Sequence, residues 1–123
     1  MRIALVTEFY YPHLGGVTEH VHNLARQLNA MGHTAFIVTS NMGDVTHDGA
    51  HVHRIGTSRI IYSSGSFARI TTGLGLRRQL RDVFRAERID VVHVHSGLTP
   101  TFGLVAPEAA HELDLPVVAT FHS

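Results

Sequence analysis

The hydrophobic residues of this chain fall into two kinds of block. Short, nearly unbroken apolar runs predict strands buried on both faces, and longer blocks with apolar residues at helical spacing predict amphipathic helices. Strands and helices alternate, which is typical of an α/β domain with a Rossmann-like, doubly wound parallel sheet. The predicted strands are 2–7, 33–39, 51–55, 89–95 and 115–121, and the predicted helices are 17–31, 77–88 and 100–113.

The same pattern predicts the irregular segments and the strand order. Residues 40–50 are polar and are expected to form a loop, and 56–75 are the least regular part, in which Ser63-Ser64-Gly65-Ser66 suggest a mobile loop. Strand 51–55 alternates and is expected to be short and more exposed. Pro107 is expected to kink the last helix or to mark its late start. The predicted strand order is 3-2-1-4-5, and ligands bind such sheets at the carboxyl ends of the strands.

Two glycines, Gly15 and Gly16, lie between the first predicted strand and the first helix. A glycine has no Cβ, so the backbone can turn sharply and a ligand can approach the N–H groups at the helix start, where the dipole favours an anion. We interpret Gly15, Gly16, Val17 and Thr18 as a candidate cradle for a phosphate or a sugar. A tight turn that binds nothing is the alternative, and the glycines alone do not decide between the two.

The carboxyl ends of the predicted strands should bring three polar segments to one edge of the sheet. These segments are 7–16, 96–100 and 122–123. Ser96 is a candidate substrate-binding residue in this arrangement. His122 is the candidate catalytic residue, because an imidazole at a strand end can exchange a proton or hydrogen-bond a sugar hydroxyl. The alternative for His122 is a loop histidine without a catalytic role.

The predicted helix 77–88 is amphipathic and rich in arginine. Its apolar residues fall on one face, and five arginines cluster on the opposite side, namely Arg77, Arg78, Arg81, Arg85 and Arg88. Such a surface can hold anionic lipid headgroups, each charge near an acidic membrane adding about 1 kcal/mol. A solvated helix face is the alternative, because Asp82 and Glu87 dilute the charge. Nucleic acid is a poorer partner, since the chain is neutral overall.

Composition excludes several classes of site. The chain of 123 residues has no cysteine and no lysine, which rules out disulfides, thiolate ligands, a P-loop lysine and Schiff-base catalysis. Neither a Gly-x-Ser-x-Gly elbow nor a dinucleotide fingerprint is present. His51 and His53 share a strand face, as do His93 and His95, but no suitably spaced carboxylates accompany them, which disfavours a zinc site. Without a long apolar run or a signal-peptide pattern, we expect a cytoplasmic protein.

Four segments of the chain resemble one known family. They are residues 7–20, the dipeptide Gly32-His33, residues 90–96 and residues 119–123. Together they are similar to the N-terminal domain of family 4 glycosyltransferases and, within that family, to phosphatidylinositol mannosyl- and N-acetylglucosaminyltransferases. The similarity runs nearly end to end. It implies an incomplete N-terminal half of a GT-B fold, in which two Rossmann-like domains enclose the active site.

The resemblance implies roles for several residues. Gly15, Gly16 and Val17 match the family's glycine loop, which approaches the donor diphosphate and the acceptor, and His122 matches a histidine that contacts the transferred sugar. Residues 65–69 and the arginine helix match the part of lipid-modifying members that meets the membrane. A nucleotide sugar is the donor, no separate cofactor is expected, and retaining chemistry proceeds by front-side attack without a carboxylate nucleophile. Ser96 is followed by glycine, without the polar amide that some mannosyltransferases present to inositol, so the acceptor stays open.

We therefore expect residues 1–123 to be a single, truncated, acceptor-side domain of a retaining hexosyltransferase, with a phosphatidylinositol-type lipid as one candidate acceptor. We expect the chain to be inactive alone and, where its arginines bind lipid, to lie peripherally at the inner face of the membrane. The competing hypothesis is a free-standing module that binds a lipid headgroup or a nucleotide and forms a homodimer through its exposed sheet edge. A metal-dependent hydrolase is a third hypothesis, which a metal analysis tests.

Overall fold

The computed structural model describes residues 1–11, 14–41, 51–63, 66–72, 75–96 and 101–121. The strands and helices predicted from the sequence are present, and their ends differ from the predicted ones. None of the helices in the described ranges has both the length and the apolar character needed to cross a membrane. In chain order the elements are β1 (Arg2–Thr7), α1 (Gly16–Ala30), β2 (Thr34–Asn41), β3 (Val52–Ser63), β4 (Ser66–Thr72), α2 (Leu76–Ala86), β5 (Val91–Ser96), α3 (Thr101–Glu112) and β6 (Val117–Phe121).

The described strands form one sheet in the order β4-β3-β2-β1-β5-β6. β1 lies between β2 and β5 and is parallel to both, and β3 and β6 continue the parallel pairing on either side. The predicted order 3-2-1-4-5 is therefore confirmed for the parallel strands β3, β2, β1, β5 and β6. The winding direction reverses between β1 and β5, and doubly wound sheets bind ligands in the crevice at such a switch point.

Residues 52–63 and 66–72 form the two antiparallel strands of a long β-hairpin. β3 continues to Ser63, and β4 returns antiparallel beside it as an additional edge strand. The expectations of a short strand at 51–55 and of irregular structure over 56–75 are therefore wrong for the described part of that segment, and Ser63 and Ser66 of the expected mobile loop belong to β3 and β4. Residues 64–65 and 73–74, where the sequence also predicted a loop, lie outside the described residues.

The composition of the hairpin explains why it forms strands. β-Branched and aromatic residues such as Ile60, Tyr62 and Ile70 favour a pleated backbone even where serine, threonine and arginine interrupt the apolar pattern. Gly56 lies inside β3 with a left-handed φ of +65°, and the register between β2 and β3 shifts at the same place. This irregularity is a β-bulge, which a glycine accommodates without strain. Gly56 therefore interrupts the predicted pattern without ending the strand.

Helices cover both faces of the sheet. α2 and α3 pack on one face over side chains that include Phe36, Val92 and Val94. α1 packs on the opposite face over Leu5 and Ile37. Because successive side chains of a strand point to opposite faces, a sheet covered on both sides requires nearly continuous apolar strands. This requirement accounts for the unbroken hydrophobic run of β1.

α3 contains a proline in its interior. The helix begins at Thr101 and runs through Pro107 to Glu112, so the expected late start at Pro107 is wrong. A proline removes one backbone hydrogen bond from a helix, at a cost that tertiary contacts can offset. Phe102 and Ala106 lie fully buried on one side of the proline and Ala109 on the other, which holds the helix against the sheet. The alternative expectation, a kink at Pro107, stays a prediction.

Candidate functional site

The carboxyl ends of β1, β2 and β5 meet at one edge of the sheet, which borders the switch point. Thr7 ends β1 and is in register with His95 of β5, and Ser40 lies near the end of β2. All three residues are buried. The sequence predicted that the segments after β1, β5 and β6 would form the rim, and the end of β2 lies there in addition. Residues 97–100 and 122–123, also expected there, lie outside the described residues.

Gly15 and Gly16 lie where the chain leaves this rim and enters α1. Gly15 is the N-cap residue with an extended φ of 162°, a conformation that any residue adopts, and no side chain of the described residues caps the first turn. Gly16 does not have a left-handed backbone, and a Cβ built on it meets no atom within 4 Å. The backbone conformation therefore requires a glycine at neither position. The missing side chain at Gly16 leaves open space beside the N–H groups of the first helical turn.

The other predicted binding residues have different surroundings. Val17 is partly buried and Thr18 is fully buried. Ser96 is the last residue of β5 and is in register with Phe121 of β6. His122 lies outside the described residues, directly after the end of β6. The roles assigned to these residues from the sequence stay predictions.

A buried carboxylate fixes the chain that follows β1. Glu8 is 6% exposed, and its Oε1 accepts a hydrogen bond of 3.1 Å from the backbone N–H of Phe102 in the first turn of α3. A carboxylate at a helix N-terminus is stabilised by the dipole and by N–H groups that lack helical partners. The backbone carbonyl of Glu8 accepts a second hydrogen bond, of 3.2 Å, from Oγ of Ser40. Glu8 thus ties this segment to both α3 and β2.

Arg54 of β3 contacts the same segment. Its guanidinium donates one N–H to the carbonyl of Ser40 at 3.0 Å and another to the carbonyl of Tyr11. The Tyr11 ring meets His22 of α1 edge-on, with centroids 5.3 Å apart, and the Tyr10 hydroxyl forms a 3.0 Å hydrogen bond with Nδ1 of His22. Residues 8–11 are therefore held by several partners, and such preorganisation of the segment after β1 lowers the entropic cost of binding a ligand.

Histidine rings line the rim on the α1 side of the sheet. His93 and His95 share one face of β5, as predicted, with ring centroids 4.2 Å apart. His20 of α1 lies 5.6 Å from His95, and Nε2 of His93 forms a 2.8 Å hydrogen bond with Oγ1 of Thr120. Within the described ranges, no three histidine, aspartate or glutamate side chains are arranged to hold a metal ion. The histidines therefore form a chain of ring contacts and hydrogen bonds.

The sequence did not predict Glu8, His20 or Arg54 as site residues. Glu8 directly follows the first predicted strand, so the rule that selected Ser96 would also have selected Glu8. His20 lies one helical turn after Gly16, a spacing that the glycine pattern alone does not mark. Arg54 carries no local signal, since the carbonyls it contacts belong to distant parts of the sequence.

Two arginines of α2 are engaged by α3. Arg77 lies 3.7 Å from the carboxylate of Glu108 and 3.4 Å from that of Glu112, and Arg81 lies 3.4 Å from Glu112. These pairs are at least partly exposed, so each is worth at most about 1 kcal/mol. They nevertheless neutralise two of the five arginines that the sequence predicted as one basic surface.

The remaining arginines are exposed. Arg78 and Arg85 are seven residues apart, which places them on the same face of α2. Arg88 lies beyond the end of α2 with a φ of +52°, so it is not part of the helix as predicted. Arg78, Arg85 and Arg88 form no ion pair with other residues of the described ranges. The basic surface is therefore smaller than the sequence suggested.

Comparison with known proteins identifies the family. The family model described as Glycosyltransferase Family 4 matches residues 14–123, from the glycine loop to the end of the chain. The chain belongs to glycosyltransferase family 4. It is 30% identical over 129 residues to the phosphatidyl-myo-inositol mannosyltransferase of Propionibacterium freudenreichii, a match that covers 100% of this chain and 33% of that protein. The resemblance found in the sequence is confirmed.

A human relative and a solved structure extend the comparison. The family 4 chain is 30% identical over 129 residues to one subunit of human phosphatidylinositol N-acetylglucosaminyltransferase, covering 98% of this chain and 25% of that protein. The chain thus spans a quarter to a third of the length of these relatives. The crystal structure of MurG from Acinetobacter baumannii matches with a TM-score of 0.59 at 13% identity, over 98% of this chain and 34% of that one. This likeness concerns the fold alone and fits one Rossmann-like half of a GT-B enzyme.

Proposed function

We propose that this chain is the acceptor-side domain of a longer enzyme that transfers a sugar from a nucleotide sugar, and that the start of α1 holds the donor diphosphate. The open space at Gly16 carries the proposal, because nothing in the backbone conformation of Gly15 or Gly16 requires a glycine. The N–H groups and the dipole at a helix start favour an anion. Membership of a glycosyltransferase family supports the reaction class.

In the proposed reaction this domain binds substrates and stabilises charge, and it forms no covalent bond to the sugar. In retaining transfer by front-side attack, an acceptor hydroxyl oxygen forms a bond to the anomeric carbon while the bond between that carbon and the diphosphate oxygen breaks. Negative charge develops on the leaving diphosphate, which takes up the proton of the hydroxyl. N–H donors at the start of α1 stabilise that charge. We assign His122 to contact with the transferred sugar and Ser96 to substrate binding. The reaction then needs neither a carboxylate nucleophile nor a cofactor besides the donor.

An assay of two proteins tests this proposal. One is the 123-residue chain, and the other is the same chain extended by whatever its gene encodes beyond Ser123. Each receives labelled GDP-mannose or UDP-N-acetylglucosamine together with phosphatidylinositol vesicles. We expect label transfer by the extended protein from one donor and none by the chain alone. Turnover by the chain alone would contradict the assignment as an incomplete enzyme, and no transfer by the extended protein would reject these substrates.

We further propose a lipid acceptor and a peripheral position at the inner face of the cytoplasmic membrane. The names of two relatives refer to phosphatidylinositol. On this chain, Arg78, Arg85 and Arg88 are exposed arginines of the α2 region that form no ion pair within the described residues. Basic side chains bind anionic headgroups by long-range attraction. Arg77 and Arg81 contribute less, since the carboxylates of α3 already pair with them.

Replacing Arg78 and Arg85 with glutamine is expected to weaken binding to anionic vesicles. Each arginine near an acidic surface contributes about 1 kcal/mol, so the double variant should lose roughly 30-fold in affinity. Sedimentation with vesicles containing phosphatidylinositol and phosphatidylserine measures the effect. Arg26→Gln is the matched control, because Arg26 is exposed on α1 and lies on the opposite side of the sheet. Equal losses in the double variant and in Arg26→Gln would exclude the α2 surface.

An exposed sheet edge favours a second candidate function, that of a self-associating module that binds a lipid headgroup or a nucleotide. β6 is an edge strand of the described sheet, and Val117, Val118 and Phe121 are 38%, 51% and 64% exposed. An edge strand with exposed apolar side chains is a template for pairing with another chain. In this candidate, two copies join through β6 and no sugar is transferred.

The substitution Val118→Lys tests this second candidate. A lysine on an edge strand opposes strand pairing, so we expect the variant to stay monomeric where the wild-type chain dimerises. Sedimentation equilibrium between about 10 and 500 μM measures the mass, a range suited to weak association. Leu104→Lys is the control, since Leu104 is 67% exposed on α3 rather than on the edge strand. A wild-type mass that does not change with concentration would exclude the homodimer.

A further inference from the structure

His20 occupies a defined place beside the open space at Gly16. It lies four residues after Gly16 in α1, and residues at this spacing lie on the same helical face. The Cα–Cβ bonds of a helix tilt toward its N-terminus, so the His20 side chain leans back toward the bare backbone of Gly16. His20 is exposed at this position.

The sheet supports His20 from the other side. The His20 ring meets the His95 ring at 60°, with centroids 5.6 Å apart. His95 is 2% exposed and is in register with Thr7 of β1 and Thr120 of β6, at the strand ends beside the switch point. The pair thus stands where β1 and β5 separate, which is the crevice in which a doubly wound sheet binds its ligand.

Contacts with His93 of β5, which is itself hydrogen-bonded to β6, fix the His95 ring. His93 lies against it with centroids 4.2 Å apart and an interplanar angle of 32°. Nε2 of His93 is in turn held by Oγ1 of Thr120 at 2.8 Å. A ring that is buried and contacted on two sides cannot rotate freely, so His95 presents a fixed surface to His20.

We propose that His20 binds the ligand, donating an imidazole N–H to a phosphoryl oxygen of the diphosphate held at Gly16, and that His95 is the residue that positions His20. This inference rests on the proposed function. A phosphoryl oxygen is the partner that fits, because the first turn of α1 favours negative charge. Glu19 does not compete for this place, since adjacent residues of a helix do not face each other.

Titration of the 123-residue chain with inorganic pyrophosphate, followed by NMR, tests the inference. The backbone amides of Gly15 to Thr18 and the ring signals of His20 report binding in the wild-type chain. His20→Leu removes the donor and should raise the dissociation constant roughly tenfold, whereas His20→Gln keeps an N–H donor and should stay within about threefold of wild type. His111→Leu is the matched control and should bind as wild type, because His111 is exposed at the far end of α3.

His95→Phe separates positioning from folding. Phenylalanine keeps an aromatic ring of similar width in the buried site, so the variant should fold. We expect it to bind pyrophosphate less tightly than wild type and to shift the ring signals of His20.

The outcomes separate this inference from the proposed function. If pyrophosphate moves the amides of Gly15 to Thr18 but His20→Leu binds as tightly as wild type, His20 is not a ligand and the glycine cradle stands. Wild-type affinity and unchanged His20 signals in His95→Phe would reject the positioning role. If the amides of the wild-type chain do not respond to pyrophosphate at all, the cradle fails, and the role of His20 fails with it.

Discussion

Replacing Gly16 with alanine is expected to leave the fold intact and to weaken anion binding at the start of α1 by about tenfold or more. The added Cβ meets no atom of the chain within 4 Å, and alanine is the better helix former by up to about 1 kcal/mol. The free energy of unfolding should therefore be unchanged or slightly higher. Because helical Cβ atoms point toward the N-terminus, the new methyl group projects into the space proposed for the diphosphate.

Binding and stability are measured separately for this variant. Thermal unfolding followed by circular dichroism gives the melting temperature, and pyrophosphate titration followed by NMR gives the affinity. For the proposed transfer activity of the extended protein, kcat/KM should fall on the order of 100-fold, since a misplacement of the reacting groups by about 1 Å has an effect of this size. Unchanged pyrophosphate affinity in Gly16→Ala would show that the open space is not an anion site.

Gly32→Ala is the matched control for Gly16→Ala. A Cβ on Gly32 also meets no atom within 4 Å, but Gly32 has a φ of +92° just after the end of α1. A side chain in left-handed backbone costs about 1–2 kcal/mol, so this variant should lose stability and keep its affinity for pyrophosphate. The two substitutions should therefore have opposite effects, although each adds one methyl group in open space. Equal affinity losses in both would attribute the Gly16 effect to general disturbance of α1.

The parallel core could be predicted because its signal is local and repeated. The buried strand Arg2–Thr7 is apolar without interruption from residue 3 to residue 6, and Val91–Ser96 is rich in valine. The helices between the strands force parallel pairing. The alternation of elements then limits the topology to few choices. This reasoning also located the rim, since the carboxyl ends of parallel strands meet at the same edge.

The β3–β4 hairpin could not be predicted by the same rule. β4 is an edge strand, where polar and charged residues are tolerated, and Arg59 of β3 and Arg69 of β4 interrupt the apolar residues of the two strands, so no unbroken apolar run appears. Gly56 indicated the end of a strand, but it accommodates a bulge inside one. The pairing partner of each strand decides the structure in this region, and that information is not local.

The sequence predicted the edge of the sheet at which the candidate site lies, but only some of the residues that surround it. Gly15 and Gly16 stand out in the sequence because two glycines between a strand and a helix allow a sharp turn and the close approach of a ligand. Arg54 does not, because it acts on a carbonyl 43 residues away in the sequence. The arginines of α2 show the reverse problem, since periodicity placed them on a surface but could not show that Glu112 of α3 pairs with Arg77 and Arg81. Contacts between distant elements are the part that the sequence does not reveal.

Replacing Glu8 with alanine is expected to destabilise the domain by about 1.5–3 kcal/mol, because a buried hydrogen bond to a charged group is lost. The backbone N–H of Phe102, 94 residues away, would lose its acceptor Oε1, and the first turn of α3 would lose a favourable charge. For a domain of 123 residues, a loss of about 2 kcal/mol corresponds to a fall of about 8 °C in melting temperature. Glu8→Gln keeps an oxygen acceptor and should lose less.

Glu108→Ala is the matched control for the Glu8 substitution. Its carboxylate is 62% exposed and lies 3.7 Å from Arg77, so its removal should change the free energy of unfolding by less than about 1 kcal/mol. A melting temperature for Glu8→Ala equal to that of Glu108→Ala would contradict the structural role of Glu8. If Glu8→Ala instead kept its melting temperature and lost pyrophosphate binding, the carboxylate would serve the ligand site directly. Both results together, lower stability and weaker binding, are expected from a residue that fixes the rim on which the glycine loop is built.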